Sequence, residues 1–222
     1  MLGDSHLIGS AAVINHNLNE KYKVCSLTQP GACTKQIVDS QEEVLNNLGK
    51  SDVIVINGGS NDIEEANGRV NGILNLMVHF VQKYTNTNIV LVNIPYRHDL
   101  RKHDKKNLCI QNYNNKLKNI TNIFQHVSLI ETSSDWRLYT RHGFHLNRFG
   151  KEWLAKQIAC QIESLVKLSS KDRPVINLKW KEESTNLNNG NIGLTTEINR
   201  VEDLVPATQS LINLCNGENN VP

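Results

Sequence analysis

Asp52-Val53-Ile54-Val55-Ile56-Asn57-Gly58-Gly59-Ser60-Asn61-Asp62 is the stretch that decides the fold. Residues 53–56 are continuously apolar and β-branched, as a strand buried on both faces reads. The run stops at two glycines, which let the backbone turn sharply at the strand end. A strand covered on both faces belongs to a parallel sheet between two helical layers. Asn88-Ile89-Val90-Leu91-Val92 repeats the pattern.

Working outward, β-rich runs recur at 22–27, 52–56, 88–94 and 126–130. Helical periodicity lies between them. In 69–84, Val70, Ile73, Leu74, Met77 and Phe80 fall on one helical face. Segments 105–124 and 150–168 read as further helices, and 5–18 and 34–49 as weaker ones. Alternation of this kind predicts an α/β fold with a doubly wound parallel sheet.

The pattern opens on a helix, whereas a doubly wound sheet opens on a strand. Only Met1 and Leu2 precede Gly3. Leaving out a buried strand with about four apolar side chains would cost on the order of 6–12 kcal/mol, comparable to a whole domain's stability. The expectation is therefore a truncated first strand and a natural chain that starts further upstream.

With 222 residues the chain suits one domain plus a tail. Residues 1–168 form the expected domain. Residues 169–222 are rich in Asn, Glu, Thr and Ser and are expected to be a largely disordered tail, with a short helix over 203–214. Net charge is only +2, so any electrostatic message is local. The five cysteines, Cys25, Cys33, Cys109, Cys160 and Cys215, include no C-x-x-C pair. Reduced thiols in an intracellular, cytoplasmic or nuclear protein are expected. Neither a membrane span nor a signal peptide is visible. No metal-ligand spacing stands out and no cofactor is implied.

Four segments carry residue types suited to chemistry. Gly3-Asp4-Ser5-His6 places a serine where a strand turns into a helix, at the sheet edge where active sites of such folds lie. Pro30-Gly31-Ala32 follows the next strand, and a glycine there brings its N–H close to a substrate oxygen. Asn61 follows the 52–56 strand and can present its amide to an oxyanion, with Asp62 capping the following segment. Arg141-His142-Gly143-Phe144-His145-Leu146-Asn147 precedes the last helix and puts His145 within reach of a serine at a neighbouring strand end.

Together these segments resemble the SGNH or GDSL family of hydrolases. Gly3-Asp4-Ser5 is similar to its first block, Gly31 to its second-block glycine, Gly59-Ser60-Asn61-Asp62 to its third block, and His145 with Leu146-Asn147 and Gly150 to its fifth. The resemblance runs from about Leu2 to Leu168. It implies a flavodoxin-like three-layer α/β/α sandwich with strand order 2-1-3-4-5. It also implies Ser5 as nucleophile, His145 as base, and an oxyanion hole of the Ser5 and Gly31 N–H groups and the Asn61 side chain. Pro95-Tyr96-Arg97 and the string Thr140–Asn147 resemble, more narrowly, SGNH domains of insect, retroelement-associated proteins.

One position departs from the family pattern. The acid three residues before the histidine is His142 here. Losing that acid in an enzyme built around it costs about 10⁴ in kcat. Three readings stay open: a Ser5–His145 dyad, replacement of the acid by Asp135, or a degenerate site. His142 itself is a poor orienting group, because its cation would oppose the imidazolium at His145.

The implied function is a serine esterase acting on a small acyl ester through an acyl-enzyme. The alternative is a non-catalytic module binding RNA or another anionic partner. It draws on a basic rim of Arg97, Arg101 and Arg141, with Arg137, Arg148 and Lys151 nearby in sequence. No motif with exposed aromatics supports that alternative at this level, and the oligomeric state is not encoded legibly.

Overall fold

The computed structural model describes residues 1–19, 21–65 and 70–171. The expected tail helix at 203–214, most of the expected tail and Cys215 lie outside these residues.

The chain enters as β1 (Leu2–Gly3), makes a 3₁₀ turn at Ser5–Leu7, and continues through α1 (Ser10–Asn17), β2 (Leu27–Thr28), α2 (Thr34–Asp39) and α3 (Glu42–Leu45). Then come β3 (Val53–Asn57), α4 (Ser60–Glu65), α5 (Val70–Lys83), β4 (Asn88–Val92) and α6 (Lys105–Ile123). β5 (Val127–Ile130), a second 3₁₀ turn (Trp136–Leu138) and α7 (Arg148–Lys171) complete it. Among the described residues the five strands pair in parallel, in the order β2-β1-β3-β4-β5. The expected three-layer sandwich is the one observed, and β1 takes the inner position beside β3.

Side-chain alternation sorts the core into two faces. Val55, Val90, Val92 and Ile130 pack with Leu7, Ile14 and Leu18 around α1, and with Leu154, Ala155, Ile158 and Ile162 of α7. Ile54, Ile56, Ile89 and Leu91 are equally buried and alternate with that set. The second layer is α5, which buries Ile73, Leu74, Met77 and Phe80 and lies beside α2 and α6.

Several local expectations are corrected. A strand was expected over 22–27, but β2 is only Leu27–Thr28. It pairs with β1 alone, and the register holds two pairs, Leu2↔Leu27 and Gly3↔Thr28. The expected helix 5–18 is a 3₁₀ turn and α1, separated by Gly9 at φ +78°. The expected helix 34–49 breaks at Ser40, whose hydroxyl donates to the Ile37 carbonyl at 2.7 Å and so competes with helix propagation. The last helix starts at Arg148 instead of Gly150, because the Asn147 side chain accepts from the Gly150 N–H at 2.9 Å and caps it. α4 was not expected.

Candidate active site

Ser5 follows β1 by way of Asp4. Asp4 caps the 3₁₀ turn, its Oδ1 accepting from the His6 N–H at 3.0 Å. The helix expected behind Ser5 is therefore one short turn, and its donors are local N–H groups rather than a long helix's dipole.

His145 arrives from the far end of the sequence. Gly143 N–H donates to the Thr140 carbonyl at 2.8 Å, and the Thr140 N–H donates to the His145 carbonyl at 2.8 Å. This tight loop is clamped by the Tyr139↔Leu146 bridge. Gly143 sits at φ +74°, and a Cβ there would lie 2.7 Å from the Asp99 nitrogen. Only glycine allows that approach, which docks the loop on residues 98–99, where the His98 N–H donates to the Gly143 carbonyl at 2.9 Å. The result is a Ser5 Oγ to His145 Nε2 separation of 3.2 Å across 140 residues of sequence. That is within hydrogen-bond reach for a nucleophile and its base.

The second and third blocks are joined to each other. Gln29-Pro30-Gly31-Ala32 closes as a turn, with the Ala32 N–H donating to the Gln29 carbonyl at 3.1 Å and Gly31 at φ +78°. Proline then glycine is what a type II turn requires. Asn61 Nδ2 donates to the Ala32 carbonyl at 2.9 Å. Its amide has a second N–H, which this bond leaves for another acceptor. Asp62, expected to cap its own segment, instead receives the Thr34 N–H at 2.7 Å and the Thr34 hydroxyl at 2.8 Å. It thus caps α2 and ties it to α4.

The surroundings set the ionisation of the site. Burial, then the Lys151 and Arg97 cations, hold His145 below the usual imidazole range, opposed only by Asp99. A neutral imidazole at neutral pH is the form a general base needs. His6 is pushed down to about 3, chiefly by burial and then by His145. Its ring lies 5.4 Å from that of His145. Burial raises Asp4 to about 6, against the His6 N–H and the Ser60 hydroxyl, which favour its charged form.

Neither candidate orienting residue is bonded to His145. Asp135 is taken by Arg137, with contacts of 3.0 and 2.7 Å, and His142 is exposed. Among the described residues no carboxylate hydrogen-bonds the His145 ring. The nearest electrostatic substitute is Asp99, itself held by Arg97 at 2.7 and 2.6 Å.

The basic rim is also rearranged. Arg97 is paired with Glu64 and Asp99, its side chain is 12% exposed, and its guanidinium lies 4.0 Å over the Phe144 ring. It is therefore a structural clamp rather than an open anion site. Phe144 packs in turn on His145, ring to ring at 4.4 Å. Arg101 and Arg141 are exposed. Sequence reading gave no role to His6, Glu64, Asp99 or Phe144. For His6, Glu64 and Phe144 the significance comes from contacts between distant segments, for which the local sequence carries no signal, whereas Asp99 pairs with Arg97 two residues away.

The fold is a GDSL-like three-layer α/β/α architecture, and the candidate residues lie at the carboxyl ends of its strands. The solved structures it resembles are of that kind. An acetyl xylan esterase superposes with TM-score 0.61 at 16% identity, covering 72% of this chain and 96% of its own. A GDSL-like lipase from Bacteroides thetaiotaomicron gives 0.57 at 17%, with 73% and 85% covered. The catalytic domain of peptidoglycan O-acetyltransferase A from Streptococcus pneumoniae gives 0.56 at 15%, with 76% and 92% covered. No family model and no curated protein matches the chain.

Proposed function

We propose that this chain is a serine esterase that hydrolyses a small acyl ester through a Ser5–His145 dyad. The observation that carries the reading is the 3.2 Å Ser5 Oγ–His145 Nε2 contact. It lies at the strand ends of a fold whose solved neighbours include esterases and lipases. The narrower likeness to insect, retroelement-associated SGNH domains rests on the Tyr96-Arg97 and Thr140–Asn147 segments. Exposed thiols at Cys25 and Cys160 suit a reducing, intracellular setting.

In this mechanism Ser5 Oγ attacks the acyl carbon while His145 Nε2 takes its proton. The Ser5 and Gly31 N–H groups and the second N–H of Asn61 receive the developing oxyanion. Collapse expels the alcohol, which leaves with the proton from His145. Water, deprotonated by His145, then releases the acid and restores Ser5. Without a bonded carboxylate the imidazolium is stabilised less, so turnover is expected to be slow relative to a complete triad.

The test is labelling by a fluorophosphonate probe together with hydrolysis of a short-chain nitrophenyl ester. Wild type should label and turn over, whereas Ser5→Ala should do neither while keeping its circular dichroism. Equal hydrolysis by the two proteins, or no labelling of folded wild type, would sink the proposal.

A further inference from the structure

We propose that the face beside the His145 loop, built on Trp136, Phe149 and three arginines, is a stacking platform for single-stranded nucleic acid. The inference is independent of the esterase reading, because none of these residues touches Ser5.

Trp136 is 72% exposed and Phe149 70% exposed, the two most exposed large apolar side chains among the described residues. They come from segments held against each other. The Tyr139↔Leu146 bridge continues into an Asn147 N–H to Leu138 carbonyl bond of 2.9 Å. Asn147 Nδ2 then donates to the Arg137 carbonyl at 2.8 Å. A Cβ at Gly150 would fall 2.1 Å from the Leu138 carbonyl oxygen, so the Trp136–Leu138 turn lies directly on the first turn of α7. Two large aromatic rings thus stand largely exposed on adjoining segments. A ring exposed in this way is what an unpaired base stacks on.

The charge around them fits a phosphate backbone. A cleft of about 630 Å³ is walled by Trp136, Arg137, Tyr139, Thr140 and Arg141. Arg148 precedes Phe149. Among the described residues Arg137 and Arg148 pair with the partly exposed carboxylates Asp135 and Glu152. Such exposed pairs are weak and exchange readily for a phosphate. Arg141 makes no ion pair among the described residues. The cations are planar guanidiniums and the apolar groups are rings, which favours bases and phosphates over acyl chains. Duplexes hide the base faces that this surface would need.

The experiment is fluorescence anisotropy of the full chain with a labelled oligouridine of about 10 nucleotides. Affinity should fall steeply with salt. Trp136→Ala should weaken binding about tenfold, and Trp136→Phe should restore most of it. Arg141→Gln should weaken binding and reduce the salt slope by about one. Ser5→Ala should bind like wild type, which separates this result from the fate of the esterase reading. Both tryptophan variants should keep wild-type thermal melting, since the side chain is exposed. Four outcomes would overturn the proposal: no binding at low salt, equal affinity in wild type and Trp136→Ala, equal affinity for a duplex, or a Trp136-dependent interaction with phosphatidylserine vesicles in place of the oligonucleotide.

Discussion

At the residue scale, the site depends on which groups carry charge. The Lys151 ammonium donates to the Ile8 carbonyl at 3.0 Å, and its field ranks next after burial in lowering His145. Removing that charge in Lys151→Met should raise the His145 pKa. The acid limb of the kcat/KM profile should then move to higher pH by a fraction of a unit, with little change at alkaline pH. An unmoved limb would show that the titration belongs to another group. Asp4 and His6 make a second, opposed pair. Asp4 is raised from 3.8 to about 6, so its contribution to stability is lost as pH rises through that window. His6 is lowered from 6.5 to about 3, so its contribution is lost as pH falls. Between about pH 4 and 6 native Asp4 holds a proton that the unfolded chain lacks, while unfolded His6 holds one that the native state lacks. The two slopes offset each other, so this pair adds little net pH dependence to the urea-measured stability there. Relative to wild type, His6→Gln should lose stability as pH rises from about 4 to 6, by at most about 3 kcal/mol.

At the scale of elements, the site is a junction of loops held by a few side-chain links. Asp62 joins α4 to the buried start of α2, and Asn61 beside it holds Ala32. Asp62→Ala leaves the Thr34 N–H without its acceptor, at a cost of about 1–3 kcal/mol. It should also loosen the proposed oxyanion donors, so kcat of the proposed reaction should fall more than KM rises. An unchanged melting temperature would refute the link. These links also mark the limit of sequence reading. β3, β4, α5 and α6 were legible because their apolar periods extend over many residues and outweigh local noise. β2 was not, because its two-residue length is imposed by the short β1 against which it pairs. The break at Ser40 turns on one hydroxyl's choice of partner. Ser5 and His145, which the structure brings to 3.2 Å, stood out only as part of an ordered set with Gly31 and Asn61, each member of which is weak alone. Arg97 read as a rim cation because Glu64 and Phe144, which enclose it with the neighbouring Asp99, come from distant segments.

At the scale of the molecule, the Ser5–His145 contact spans almost the whole described domain. Ser5 is positioned by β1, and His145 by a loop clamped between the β4–α6 connection and α7. The core cluster that contains Leu7 just after Ser5 also contains Leu146 just after His145, together with Ile158 in mid-α7. The geometry of the pair is therefore a property of that packed layer and should not outlast it. Ile158 is fully buried, and Ile158→Ala should cost about 2–5 kcal/mol through lost burial and the cavity left behind. In a urea titration the fluorophosphonate labelling of wild type should vanish together with the helical circular dichroism. In Ile158→Ala both midpoints should move down by the same amount, although the substitution touches neither Ser5 nor His145. Labelling lost well before the helical signal would show instead that the loops around His145 open on their own, with a stability lower than that of the sheet and helices beneath them.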